Sequence, residues 1–180
     1  MTNLKKWQIL KSELVFQNRW CQVRQDAVKL SSGQVIDDYF VNIRPEIVLV
    51  VPVTEDNHLV FVRQYRHGVK DILLEFPAGA MDAGEDNITA AALREFEEET
   101  GYQSDSLIAL AVLYDNPVKD TNRIHIFLAL NATPTGQQKL DITEEIEVIL
   151  RPLQEINPQE ITVSGSLSAF YLARDFLMQN

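Results

Sequence analysis

Between residues 46 and 66 the chain reads EIVLVVPV, a polar TEDN, then HLVFVRQYR. Two short β-branched and aromatic runs around a turn predict strands over 46–53 and 58–66. Their almost unbroken apolar character predicts central places in a sheet covered on both faces. Upstream, WCQVRQDAVKL (20–30) and QVIDDYFVNI (34–43) flank SSGQ and predict an antiparallel hairpin. ILLEFPAGA (72–80) begins as a strand that Pro77 and Gly79 break into a loop. A helix is predicted over 88–100, with Asn87 or Asp86 as N-cap and Gly101 just past its end. LIALAVLYD (107–115), RIHIFLAL (123–130) and EEIEVILRP (144–152) predict further strands, the first two joined by a loop containing Pro117. Pro152 opens a short helical turn, LQEI. LSAFYLARDFL (167–177) carries apolar residues at helical spacing and predicts a C-terminal helix. Many strands with two well-separated helices make an α+β domain, a mixed β-sheet with helices packed against it.

At 180 residues and 46% hydrophobic content the chain can bury one real core. Its formal net charge of −10 disfavours a nucleic-acid polymer or an anionic membrane surface as partner. Cys21 is the one cysteine, and His58, His67 and His125 show no pair at helical ligand spacing, which argues against thiolate or zinc sites. Cys21 and the histidines are read as structural. The first residues, MTNLKKWQILKSE, lack the apolar stretch of a signal peptide, and the longest apolar runs are too short to span a bilayer. The expectation is a soluble, reduced, cytoplasmic protein.

The charge distribution changes the picture at REFEEETGY, residues 94–102, where four of nine residues are glutamates. On a helix Glu95, Glu98 and Glu99 converge on one face, while Ala92, Leu93, Phe96 and Thr100 can pack against a sheet. At ~6 Å and an effective dielectric of ~20, each carboxylate pair repels by roughly 3 kcal/mol. Arg94 offsets part of this, but one cation does not neutralise three anions. A hard divalent cation does, since Mg²⁺ or Mn²⁺ prefers oxygen ligands and brings phosphates as further ones. A solvated acidic helix face is the plain alternative for a bare ExxEE pattern.

The wider run GAMDAGEDNITAAALREFEEETGY, residues 79–102, resembles the Nudix box: a glycine, five residues, a glutamate, seven residues, then R-E-apolar-x-E-E-x-G-apolar. Its elements here are Gly79, Glu85, Arg94, Glu95, Phe96, Glu98, Glu99, Gly101 and Tyr102. Eight residues, DNITAAAL, separate Glu85 from Arg94, and the extra one is placed in the turn before the helix. The order of segments further resembles the ADP-ribose pyrophosphatase branch, with Pro117 fifteen residues beyond Tyr102. The loop DNPVKDTNR lacks that branch's usual proline-glycine, so the terminal sugar stays open.

This resemblance implies a Nudix-type α/β/α sandwich with a mixed sheet, plus an N-terminal antiparallel hairpin. Residues 1–44 would serve dimerisation and base binding, and 45–180 would form the hydrolase domain. It implies Mg²⁺- or Mn²⁺-dependent hydrolysis of ADP-ribose to AMP and ribose 5-phosphate by a homodimer. Alternatives are another nucleotide sugar, such as GDP-mannose, or a non-catalytic nucleotide-sugar sensor. The implied metal ligands are Glu95, Glu98, Glu99 and the Ala78 carbonyl, with Arg94 orienting a box carboxylate. Glu144 or Glu145 would be the general base. Trp20 and Tyr39 would sandwich the base, and the Pro117 loop would lie against the substrate. Arg63 or Arg66 would meet pyrophosphate, a structural ion pair with Glu75 or a box carboxylate being the alternative for each.

Overall fold

The computed structural model describes residues 4–179. Along them the chain forms β1 (Gln8–Gln17), β2 (Gln22–Lys29), β3 (Val35–Ile43), β4 (Ile47–Pro52), β5 (His58–Arg66), β6 (Asp71–Glu75), β7 (Ala78–Ala80), α1 (Ile88–Thr100), β8 (Tyr102–Gln103), β9 (Leu107–Tyr114), β10 (Arg123–Ala129), β11 (Thr133–Pro134), β12 (Ile146–Pro152) and α2 (Ser164–Gln179). Two 3-10 turns, Leu153–Glu155 and Pro158–Glu160, precede α2.

The chain divides into two units. The first runs to Pro45 and takes in Tyr114–Asn122. Its antiparallel sheet has the order β1-β2-β3, so the predicted hairpin gains a third strand that the lysine-bearing start of the chain concealed. Every residue of β1 is exposed, Ile9, Leu10, Leu14, Val15 and Phe16 among them.

In the second unit, Glu46–Leu113 with Arg123–Asn180, the predicted pair at 46–66 separates. β4 lies between β7 and β10 in one sheet, and β5 between β12 and β6 in another. Each is central, as its apolar run requires. β4 and β10 pair in parallel, Ile47 to Pro52 against Ile124 to Ala129, while β7 runs antiparallel to β4. Strand periodicity divides their side chains between two layers. Leu49, Val51, Ile126 and Leu128 join Ala169, Phe170 and Ala173 of α2 in one core. Val48, Val50, Phe127 and Ala129 join Ala91, Ala92 and Phe96 of α1 in the other. The helices therefore flank the β4–β10 pair, which is the expected α/β/α arrangement. Residues 78–80, predicted to be loop, form the short β7, because Ala78, Gly79 and Ala80 pair with Leu49, Val48 and Ile47. That pairing sets the backbone of the glycine-bearing segment beside the side of α1 that carries Glu95 and Glu99.

Candidate active site

Asn87 starts α1, its Oδ1 accepting the Ala90 N–H at 3.1 Å. Gly101 ends it at φ 65°, where a side chain would be strained, and donates its N–H to the Glu97 carbonyl at 2.8 Å. Ala91, Ala92 and Phe96 bury one face; Arg94, Glu95 and Glu98 lie off it and are part-buried, while Glu99 is itself buried beside β7. Four glutamates, Glu95, Glu97, Glu98 and Glu99, occupy the C-terminal turns, where the helix dipole already disfavours anions, and no basic residue lies in the last turn. Stability alone does not account for that placement.

Arg94 meets most of the charge. Its Nη1 donates to Glu95 at 2.7 Å and Glu98 at 3.2 Å, and its Nη2 donates to Glu85 at 3.1 Å. These carboxylates hold the guanidinium pKa above its ordinary value, against the opposing pull of burial. Glu85 joins the cluster despite the eight-residue spacing. Asp82 to Glu85 close a turn, with the Glu85 N–H on the Asp82 carbonyl and the Asp82 N–H on the Glu85 carboxylate.

No cation is bonded to Glu99 among the described residues, and only Arg66 acts on it from a distance as a positive charge. Glu99 is 4% exposed, and its Oε2 accepts the Ala78 backbone N–H at 2.9 Å. Burial pushes its pKa up to about 8, the Ala78 bond opposes this, and Glu144 and Glu95 push further the same way. Burial also raises Glu95, with Arg94 pulling the other way and Glu98 and Glu144 adding to the rise. A Cβ on Gly79 would fall 2.0 Å from the Glu95 carboxyl carbon, so the absence of a side chain there makes room for that carboxylate.

A cleft of about 410 Å3 is lined by Gly79, Arg94, Glu95, Glu98, Lys139 and Glu144, among others. Glu144 thus faces the carboxylates, while Glu145 lines a different hollow beside Arg63 and Tyr65. The two adjacent glutamates, equivalent in sequence, point to different places. Arg66 donates to both oxygens of buried Glu75, at 2.7 and 3.0 Å, and Arg63 donates through Nε to Glu147 at 3.0 Å. Both therefore form structural ion pairs. Arg66 is the one whose surroundings include Glu99 and Glu144, and its pKa rises because Glu75 outweighs burial.

In the first unit Trp20 is 67% exposed with Arg19 over its ring. Tyr39 donates its hydroxyl to the Val118 carbonyl at 2.6 Å and meets Trp7 edge-on at 5.7 Å. Trp20 and Tyr39 are not in ring contact with each other among the described residues. Trp7, outside the expected set, is the aromatic beside Tyr39, and the residues that follow it show no alternation that would have marked it. Pro117 lies in the exposed turn closed by the Lys119 and Asp120 N–H groups on the Asn116 carbonyl. Cys21 is exposed, so packing gives it no role.

The donor set suits a hard divalent ion: carboxylate oxygens crowded by burial and mutual repulsion, with space beside Gly79 in place of a side chain. Among the described residues no three His, Cys, Asp or Glu side chains are arranged to hold a metal ion as they stand, so carboxylates now bonded to Arg94 would have to turn toward it. Arg94 holds Glu85, Glu95 and Glu98, and an ion would draw on Glu95, Glu98 and Glu99 around it. Gly79→Ala should consequently weaken divalent-metal binding by about tenfold through displaced Glu95, with Tm changed by only a few degrees, because the far end of a flexible side chain can move. Metal titration with parallel thermal unfolding checks this; unchanged metal affinity would refute it.

A NUDIX domain model matches residues 43–169, and a model of the nucleoside diphosphate sugar hydrolase N-terminal domain matches residues 7–42. The chain is 32% identical over 156 residues to a methanol dehydrogenase activator of Bacillus methanolicus, covering 86% of this chain and 83% of that protein. It is 30% identical to an ADP-ribose pyrophosphatase of Bacillus subtilis with the same coverages. It is 28% identical to ADP compounds hydrolase NudE of Escherichia coli over 97% of this chain and 95% of that one. A crystal structure of an ADP compounds hydrolase superposes with TM-score 0.85 at 28% identity, covering 99% of this chain and 98% of the other.

Proposed function

Because the chain belongs to the NUDIX domain family, it is a Nudix hydrolase, and we propose that it cleaves the pyrophosphate bond of ADP-ribose to give AMP and ribose 5-phosphate. The observation that carries this reading is the cleft that brings Glu95 and Glu98 together with Glu144, with buried Glu99 close enough to feel the charge of both Glu95 and Glu144. A sensor needs no such complete acidic set. Glu95, Glu98 and Glu99 would hold the ion, Mg²⁺ or Mn²⁺, with the Ala78 carbonyl as a further ligand. When bound, the ion neutralises pyrophosphate oxygens and acidifies the attacking water.

Arg94 orients the Glu95 and Glu98 carboxylates through one guanidinium nitrogen. Glu144 accepts the proton of the attacking water as the new phosphorus–oxygen bond forms and the anhydride bond breaks. Glu145 is set aside because it lines another hollow. Arg66 commits two N–H groups to Glu75, which leaves further donors of its guanidinium for phosphate oxygens. Arg63 is a weaker candidate on the outward side of β5. Trp20 and Tyr39 stack the base in this reading, and Pro117 shapes the loop that meets the sugar.

Residues 1–44 form a substrate- and partner-binding region and residues 45–180 the hydrolase domain. A homodimer accounts for the apolar residues of β1, about half of whose surface is exposed and which a second copy would cover. The location is cytoplasmic, consistent with a small nucleotide-sugar substrate and a single unpaired cysteine. Among the described residues no helix is long and apolar enough to cross a membrane.

The test is product analysis with ADP-ribose, GDP-mannose and related nucleotide sugars, each with Mg²⁺, Mn²⁺ or chelator. AMP and ribose 5-phosphate, formed fastest from ADP-ribose and stopped by chelator, are the expected result. Faster cleavage of GDP-mannose, or no turnover with either metal, would overturn the substrate assignment.

A further inference from the structure

A helix leaves its last carbonyls without intrahelical donors, and α1 is served in an unusual way. Gly101 N–H takes the Glu97 carbonyl, and the Tyr102 N–H is diverted to the Thr100 hydroxyl at 3.0 Å. The carbonyls of Glu98 and Glu99 are instead met from a distant segment. Lys139 N–H donates to Glu98 at 2.9 Å, and the Gln138 side-chain amide donates to Glu99 at 2.6 Å. The same amide nitrogen also reaches the Ile146 carbonyl at 3.4 Å.

Ile146 is the first residue of β12, and Glu144 lies two residues before it. One amide group therefore ties together the end of the box helix, the start of the acidic loop and the point where that loop rejoins the sheet. Inside the loop, Asp141 and Glu144 are joined twice. The Asp141 N–H donates to the Glu144 carboxylate at 2.9 Å, and the Glu144 N–H donates to the Asp141 carbonyl at 2.9 Å. The loop carries its own turn but gains its position relative to α1 from Gln138 and Lys139.

We infer that Gln138 is a positioning residue for the hydrolytic step: its amide clamps the loop so that the Glu144 carboxylate stays in register with the Glu95–Glu99 carboxylates. The inference rests on Glu144 as proton acceptor. A simple helix cap would stabilise α1 without coupling to Glu144, and a double-mutant cycle separates the two roles.

The experiment compares wild type, Gln138→Met, Glu144→Gln and the double variant, as full chains. Methionine keeps the length of glutamine and removes the donor. Gln138→Met should lower kcat for ADP-ribose about tenfold with KM changed less than about twofold, since a misplaced group costs rate without costing ground-state binding. Glu144→Gln should lose on the order of 10²-fold in kcat, as expected for removal of a general base. In the Glu144→Gln background, Gln138→Met should have no further effect on kcat. Hydrogen exchange on the metal-free protein should quicken at the Lys139, Asp141 and Glu144 amides in Gln138→Met and not along α1. Gln138→Glu, which turns acceptors toward two carbonyls, should reproduce the loss if the methionine variant folds poorly. A kcat loss that multiplies unchanged in the double variant, or no loss from either Gln138 variant, overturns the clamp while leaving Glu144 in place. A Glu144→Gln variant with wild-type kcat removes the proton acceptor and the clamp together.

Discussion

Glu99→Gln is expected to reduce kcat on the order of 10³-fold, through loss of an anionic oxygen where the cation must bind, while the protein stays folded. The variant keeps an oxygen of similar reach to accept the Ala78 N–H, now at 2.9 Å from Oε2. What it loses is charge on a residue that is 4% exposed and has no cation bonded to it among the described residues. Stability should move in the opposite direction. Glu99 has an ordinary pKa of 4.5 that burial raises to about 8 in the folded chain. Between those values the folded state holds a proton that the unfolded state has lost, so metal-free stability falls as pH rises through that window and levels off above it. Glutamine removes that dependence. Its metal-free Tm should match wild type near pH 5 and exceed it at pH 8 and above. Thermal unfolding in chelator against pH, with kcat at saturating Mg²⁺, checks both halves. A variant that loses Tm at pH 8, or that keeps wild-type kcat, would contradict this role.

Divalent-metal affinity should rise steeply with pH and flatten near pH 8. Binding requires ionised carboxylates, and Glu99 is protonated in the metal-free protein below about 8. Each bound ion then displaces a proton, so affinity should increase about tenfold per pH unit and about 10³-fold between pH 5 and pH 8. Glu95, whose pKa burial also raises, steepens the lower part of the curve. Glu99→Gln should bind the ion weakly and with a shallower pH dependence. Calorimetric titration of Mn²⁺ in buffers of different ionisation enthalpy reads affinity and proton release together. Binding at pH 7 without proton uptake by the buffer would show that Glu99 is already ionised before the ion arrives.

The same residues show how far a sequence carries this reading. α1 was legible almost to the residue, because Asn87, the apolar face at Ala92 and Phe96, and Gly101 are local signals that agree. The acidic face was legible because helical spacing fixes which side chains share a side. The strand at Gln8–Gln17 was not, since all of its residues are exposed and its apolar positions fall on no single face. Nor was the separation of β4 from β5, because an apolar strand with a short turn is equally compatible with a hairpin or with two sheets.

The sequence by itself determined the chemistry available: carboxylates on one helix face, a glycine beside them, an arginine among them, and further glutamates late in the chain. Those follow from residue type and helical geometry, which are local. Tertiary structure alone decided how each carboxylate behaves and which late glutamate matters. Burial against β7 makes Glu99 a reluctant anion, and three bonds to Arg94 keep Glu85, Glu95 and Glu98 together. The course of one loop aims Glu144 into the cleft and turns Glu145 out of it. Desolvation and orientation depend on what the rest of the chain places around a group, and no spacing of neighbours along the chain encodes that.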